Sequence, residues 1–208
     1  MRKLEILMAV AAPLEMNNVD TDQIFPARFT SKDRKERGYG DYYLHDLRYD
    51  ESGNARADFV LNDARLKNAE IIVSGANYAC GSARPGAVYA HVDRGIRAVI
   101  AKSFGPLFAA VAYKSGLLAV QLKPDEILDL SGQLTENTGA FVTLDLPNQI
   151  VRAPNGSHYA FEIDPFVKRM ISEGLDEIQL TLGLSKQIDA FAKRQREKMP
   201  WVFETALL

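Results

Sequence analysis

The residues whose types and spacing best suit chemistry lie in Ser74-Gly75-Ala76-Asn77-Tyr78-Ala79-Cys80-Gly81-Ser82-Ala83-Arg84-Pro85-Gly86, a glycine-bearing stretch that follows the buried-strand run Ile71-Ile72-Val73. Pro85 suits the first position of a helix, where its missing N–H costs nothing, and it drives Arg84 toward an extended backbone, so Arg84 is expected as the N-cap. Free amides of a first helical turn, the positive end of the helix dipole and a guanidinium fork together make an anion site suited to a carboxylate. In that setting the alkoxide of Ser82 would be stabilised, the direction required of a proton acceptor. A serine without such help is a poor base or nucleophile. A plain strand-to-helix connection, with polar residues that merely satisfy the backbone, is the competing reading. A phosphate loop is disfavoured, because neither Gly-Lys-Ser/Thr nor Gly-x-Gly-x-x-Gly is present. Cys80 has no histidine near it in sequence and reads more simply as a small buried hydrophobe than as a nucleophile.

A second segment, Asn17-Asn18-Val19-Asp20-Thr21-Asp22-Gln23-Ile24-Phe25-Pro26-Ala27-Arg28, sets two carboxylates and a threonine close together ahead of Pro and Arg. It reads as an Asx-type turn with charged groups converging near one point. The three histidines, His45, His91 and His158, lack metal-ligand spacing. His91 falls on a predicted helix and is expected to be exposed or hydrogen-bonded. The basic residues Lys186, Lys193, Arg194, Arg196 and Lys198 alternate at helical spacing with Ile188, Ala190, Phe191 and Met199, which predicts a docked amphipathic helix with a solvated face.

The elements that position these residues follow from periodicity. Met1 to Val10 reads as a first strand, and Ser31 to Asp50 as a charged and aromatic surface loop, too polar to be core and too long to be a simple connector. From Glu70 to Leu122 the order is a buried strand at 71–73, a glycine-rich loop, a helix over 86–94, a strand at 98–101, a helix over 106–114 and a strand at 117–122. Strand, helix, strand, helix, strand implies parallel pairing with right-handed crossovers. Phe141 to Leu146 and Gln149 to Arg152 flank Pro147-Asn148 as a hairpin, followed by a strand at 159–163 and helices over 165–173 and 185–199. The fold class is α/β, a parallel βαβ core with extra antiparallel strands and C-terminal helices, in one domain spanning 1–208.

Composition bounds the rest. The 208 residues are 47% hydrophobic and 25% charged, the proportions of a globular protein. A chain of this length buries on the order of 70% of its unfolded surface, so it needs no disulfide or structural metal to hold a core. Cys80 is the only cysteine, which excludes an internal disulfide and cannot by itself hold zinc or an iron–sulfur cluster. The formal charge of -2 gives no global attraction to nucleic acid or anionic membrane. Glu5 interrupts the N-terminal apolar run and no cleavage site follows, so a cytoplasmic protein is expected.

Taken together, Asn18 to Pro26, Gly75 to Arg84, Ala98-Val99-Ile100-Ala101-Lys102-Ser103-Phe104, Gly116-Leu117-Leu118 and Gly174 to Leu182 closely resemble, in order and spacing, the small subunit of 3-isopropylmalate dehydratase. The similarity covers nearly the whole chain. It implies a swivelling β/β/α domain related to the last domain of aconitase, paired one to one with a large subunit that carries a four-iron four-sulfur cluster; this chain itself would bind no cofactor. It implies a hydro-lyase of leucine biosynthesis that isomerises 2-isopropylmalate and 3-isopropylmalate by dehydration and rehydration. On this resemblance Ser82 is the base and Arg84 a substrate-carboxylate ligand. Asp22 matches the family's active-site aspartate, with Thr21 beside it, and Arg28 is a further substrate-binding candidate. The segment from Ser31 to Tyr49 falls at the family's substrate-recognition loop.

The chain departs from the family motif Gly-Ser-Ser-Arg-Glu-His-Ala, having Gly81-Ser82-Ala83-Arg84-Pro85-Gly86-Ala87. Ala83 removes a hydroxyl donor while keeping its backbone N–H, a change worth roughly 1–3 kcal/mol where a partner is left unpaired. Two alternatives follow: a paralogous small subunit acting on another hydroxy-dicarboxylic acid, and a non-catalytic partner that stabilises an iron–sulfur large subunit. A nucleic-acid module built on the basic tail would bind with steep salt dependence, and the near-neutral charge disfavours it.

Overall fold

In a computed structural model of the chain, the described residues are 1–82 and 84–203, and they fall into two compact units, 1–174 and 175–208. Among the described residues, no helix is long and apolar enough to cross a membrane.

The first unit is built on a seven-stranded sheet in the order β4-β3-β2-β1-β5-β6-β7. Its strands are β1 (Ile6–Leu14), β2 (Ile71–Ser74), β3 (Ala98–Ala101), β4 (Leu118–Gln121), β5 (Phe141–Asp145), β6 (Ile150–Arg152) and β7 (His158–Ala160). Strands β1 to β4 are parallel neighbours, while β5, β6 and β7 add antiparallel, the mixed α/β sheet that the sequence predicts. β1 is the seam. Its C-terminal half pairs with β2 and is buried throughout, and its N-terminal half pairs with β5 and alternates, with Ile6 and Met8 exposed between Leu7 and Ala9. Parallel strands are covered on both faces and read as continuous apolar runs, whereas antiparallel ones can leave a face to water. The unbroken burial of β2 and β3 and the alternation of β6 and β7 follow that rule.

The helices are α1 (Thr21–Ile24), α2 (His45–Arg48), α3 (Pro85–Arg94), α4 (Phe108–Lys114), α5 (Pro124–Glu136) and α6 (Pro165–Glu173) in the first unit, then α7 (Glu177–Leu182) and α8 (Ser185–Lys198) in the second. The crossover helices α3 and α4 lie on one face, where Ala87, Val88, Ala90, Phe108 and Ala112 meet Ile72 and Val99 of the sheet. The opposite face is covered by Ile127, Leu130 and Leu134 of α5 and Ile171 of α6. The sequence reading missed α5, although Pro124 at its first turn and the i, i+3, i+7 spacing of Ile127, Leu130 and Leu134 were available signals.

Two expectations are corrected. The segment from Ser31 to Asp50 is not purely a surface loop: Tyr43 and Leu44 are buried, and the Leu44 amide donates to the Ile24 carbonyl at 2.8 Å. Its aromatic residues turn inward, Tyr39 stacking on Phe25 at 4.4 Å and Tyr42 on Phe29 at 4.2 Å, and of its charged residues Arg48 is buried with them. The docked amphipathic helix is the second correction, since α8 has no buried residue and Ile188 and Phe191 are 46% and 54% exposed. The periodicity was real, but a moment only says that a helix could bury one face.

Candidate functional site

Three loops meet where the parallel strands end at their carboxyl termini, the usual position of ligand sites in such sheets. They follow β1, β2 and β3. The middle one is unusual in its backbone: Asn77, Ala79 and Gly81 all have positive φ, at 57°, 55° and 89°. An alanine in the left-handed region is held there against a preference of roughly 1–2 kcal/mol, and such strain persists where surrounding bonds over-determine it. Those bonds are present. Asn77 N donates to Ser103 Oγ at 2.8 Å, Tyr78 N to the Ser103 carbonyl at 3.0 Å, Gly105 N to the Tyr78 carbonyl at 2.8 Å and Cys80 N to the Val19 carbonyl at 3.2 Å. At Gly81 a Cβ would lie 2.2 Å from Asp20 Oδ2, so both the conformation and the close approach require glycine.

The loop delivers Ser82 to the surface just ahead of α3, where it is exposed. Arg84 is the N-cap residue, extended at φ -68° and ψ 133°, and Pro85 follows at the start of the helix, as the sequence predicts. Arg84 provides no side-chain cap bond to α3. Its guanidinium instead turns back: Nε donates to Ser82 Oγ at 2.9 Å, and Nη1 pairs with Asp22 Oδ1 at 3.0 Å. Thr21 Oγ1 lies 3.4 Å from Ser82 Oγ, and Thr21 N donates to the Cys80 carbonyl at 2.9 Å, tying α1 to the loop.

Local sequence explains α1. Asp20 caps it, accepting from Asp22 N at 2.7 Å, and Gln23 closes a capping box, so Thr21 and Asp22 emerge from a short, fixed turn. Ser82, Arg84, Thr21 and Asp22 therefore converge from positions sixty residues apart in the chain, on the order of what a βαβ crossover spans twice over. Arg28 is placed differently. Both of its Nη groups bond the Asp46 carboxylate, Nη1 at 2.7 Å, and its guanidinium lies over the Phe29 ring at 4.5 Å. Asp46 is correspondingly held down at about 2, chiefly by the Arg28 hydrogen bonds. Ala83 lies outside the described residues.

The arrangement has a definite chemical bias. A cation donating a hydrogen bond to a hydroxyl stabilises that oxygen as it loses its proton, and the same fork can bind a carboxylate. The hydrogen bond to Ser82 uses one of the five N–H donors that a guanidinium offers, and Asp22 is its ion-pair partner. Cys80 is partly buried, and its backbone takes both bonds of the loop-to-α1 junction. Behind the mouth, Gly86 abuts Phe25: a Cβ there would come within 2.8 Å of the ring, so the absence of a side chain at 86 lets that ring seat. The sequence reading assigned nothing to Phe25 at this position; only the close packing of α1 on α3 reveals it.

Comparison with known proteins extends this picture. The sequence profile of the aconitase C-terminal domain family matches residues 1–125, and the profile described as LeuD_N matches residues 133–165. A protein of Azorhizobium caulinodans named 3-isopropylmalate dehydratase small subunit is 42% identical over 97% of this chain and 100% of its own length. The protein of that name from Xanthobacter autotrophicus is 41% identical over 97% of this chain and 100% of its own. The crystal structure of a 3-isopropylmalate dehydratase from Methanocaldococcus jannaschii superposes with a TM-score of 0.62 at 27% identity, over 90% of this chain and 99% of the other.

Proposed function

The chain belongs to the family of 3-isopropylmalate dehydratase small subunits, and from that premise we propose that Ser82 is its base and Arg84 its substrate-carboxylate ligand. The family's enzyme is a hydro-lyase of leucine biosynthesis that acts with a large subunit. The observation that carries the assignment is Ser82 Oγ, exposed to solvent yet accepting a 2.9 Å bond from Arg84 Nε. A carboxylate arriving at the outer edge of the guanidinium brings its α-carbon toward that oxygen. Ser82, as the alkoxide that the Arg84 guanidinium stabilises, takes the proton from this carbon and becomes the hydroxyl; the electron pair left behind forms the double bond as hydroxide departs from the neighbouring carbon. Readdition of water to the other carbon, with Ser82 returning the proton, completes the isomerisation of 2-isopropylmalate and 3-isopropylmalate.

Asp22 holds the guanidinium in plane, and Thr21 orients the serine hydroxyl. Arg28, engaged by Asp46, is a substrate ligand only if a carboxylate displaces that partner. Ala83 contributes its backbone N–H alone. The segment from Ser31 to Tyr49 serves as the recognition loop for the alkyl side of the substrate.

The constellation sits on an open surface, so a second polypeptide is needed to exclude water from it. We assign that role to the large subunit, in one-to-one pairing, together with the four-iron four-sulfur cluster. Cys80 is the one cysteine in the sequence, too few thiolates for such a cluster, so its ligands are assigned to the partner. When bound on the partner it supplies the Lewis acid for the leaving hydroxyl. The near-neutral charge and the small polar mouth support a small diacid rather than nucleic acid or a membrane as the ligand. A cytoplasmic location suits a small-molecule biosynthetic enzyme with one unpaired thiol. Relatives matching end to end support reading residues 1–208 as one functional domain.

A paralogous enzyme acting on another hydroxy-diacid is the second reading, favoured by Pro85 and Gly86, which stand where the family motif has a charged pair at the first helical turn. Anaerobic reconstitution with the large subunit, following the unsaturated intermediate by ultraviolet absorption, tests both. Turnover of 3-isopropylmalate that vanishes in Ser82→Ala supports the first; turnover of a different hydroxy-diacid alone supports the second. A complex that forms and turns over nothing refutes both.

A further inference from the structure

A second polar cluster lies under α3 and takes no part in the site just described. Tyr43, Tyr78 and His91 are all buried, Tyr78 and His91 fully so. Their polar atoms are nevertheless joined end to end. Tyr43 Oη lies 3.1 Å from Tyr78 Oη, Tyr78 Oη lies 2.7 Å from His91 Nε2, and His91 Nδ1 lies 2.7 Å from the Ala87 carbonyl oxygen.

Elementary donor and acceptor rules order the protons along this chain. A carbonyl only accepts, so Nδ1 carries hydrogen and donates to Ala87. Burial disfavours the charged ring, pushing the His91 pKa down to about 4. Nε2 is therefore a lone pair, and the Tyr78 hydroxyl donates to it. With its one proton committed, the Tyr78 oxygen accepts from the Tyr43 hydroxyl. Burial raises both phenols well above their ordinary range, so both remain donors. The direction is fixed from Tyr43 to Tyr78 to His91 to Ala87.

Each member belongs to a different working part. Tyr43 sits in the recognition segment between Tyr39 and Arg48, Tyr78 in the strained loop four residues before Ser82, and His91 on the helix that Arg84 caps. We propose that this one-way chain is a positioning device that fixes the recognition segment relative to Ser82 and Arg84 and so sets how well the substrate fits. The three residues touch no substrate; they act through the loop and the segment they join. The inference rests on the reading of Ser82, Arg84 and the 31–49 segment given above. A parallel tie on the outer side, in which Asp93 of α3 accepts from Arg34 at 2.7 Å and from Tyr39 N at 2.8 Å, reaches the same segment but is partly exposed and can be exchanged for water. The buried chain cannot, because no solvent reaches it.

Tyr43→Phe and Tyr78→Phe, each reconstituted with the large subunit, test the proposal. The expected result is a KM for 3-isopropylmalate raised roughly fivefold or more with kcat changed less than about twofold, since fit is lost and the base is not. The double variant should be no worse than the weaker single, because members of one chain act as a unit. A lowered unfolding midpoint with unchanged KM would show a merely structural cluster and overturn the proposal. Ser82→Ala in the same complex separates the two levels: full turnover there defeats the site assignment, whereas its loss with an unmoved KM in the tyrosine variants defeats only the positioning role. Nitrogen-15 NMR of His91 in the unmodified full chain gives a readout that needs neither activity nor a variant. Hydrogen on Nδ1 and a bare Nε2 at neutral pH are expected; the opposite tautomer would overturn the chain.

Discussion

Helix α3 organises two hydrogen-bonded clusters that differ mainly in their access to water. At its mouth Ser82, Arg84 and Asp22 stand at the surface, with only Thr21 buried behind them. Under its middle Tyr43, Tyr78 and His91 are sealed in. In the first cluster the Arg84–Asp22 pair is solvated and worth no more than about 1 kcal/mol, so it rearranges at little cost. In the second, a partner removed leaves a buried polar group unsatisfied, at roughly 1–3 kcal/mol, so one arrangement persists. One cluster is suited to exchanging its partners and the other to staying as it is. Exchange and rigidity are thus divided between the start and the middle of a ten-residue helix.

Variants that affect one cluster and spare the other sharpen or break this contrast. The largest effect is expected from Ser82→Ala, which should lower kcat by about 10²–10⁴-fold in the reconstituted enzyme while leaving the unfolding midpoint alone, because the side chain is exposed. A matching fall in stability would mean that the mouth is structural as well.

The buried cluster should respond instead to acid. His91 is held neutral, its pKa dropping from 6.5 to about 4, so the unfolded chain takes up a proton that the folded one refuses. Its contribution is complete above the unfolded value near pH 6.5 and is lost as the pH falls toward 4, in all on the order of 3 kcal/mol. Urea unfolding at pH 7 and pH 4.5 should show this slope, and His91→Gln should flatten it; parallel slopes would rule out His91 as the titrating group.

Arg84→Lys should cost roughly tenfold or more in kcat/KM, since an ammonium cannot bridge Ser82 and a carboxylate as a planar fork does. A steady-state comparison of the two proteins checks it, and wild-type kinetics would leave no role for the fork. The smallest effect belongs to Asp22→Asn read as stability. Thermal unfolding should move by no more than the equivalent of about 1 kcal/mol, and a larger shift would contradict the solvated character of the pair.

Much of this was legible in the chain. Pro85 after Arg84 predicted the cap, and the apolar runs at 71–73 and 98–101 predicted the doubly covered parallel strands. Asp20, Thr21 and Asp22 announced a turn, which proved to be a capped helix start. Less was legible where burial depends on distant partners. Tyr43 sits in a segment dense with charge, and nothing local shows that Leu44 bonds to Ile24 or that the Tyr43 hydroxyl ends on Tyr78. His91 could be read as exposed or hydrogen-bonded; the fold decided for the second.

Residue types and near-neighbour spacing determined the local outcomes in this protein: which stretches are strands or helices, where α3 begins, and which side chains could move a proton. Those properties follow from backbone sterics and periodicity within a few residues. That Ser82 meets Thr21, that Arg84 turns back onto Asp22, and that three buried hydroxyl and imidazole groups line up beneath them were decided only by tertiary structure. Such contacts join loops at the ends of different strands, and their distances are set by how the sheet and its helices pack rather than by any local preference of the chain.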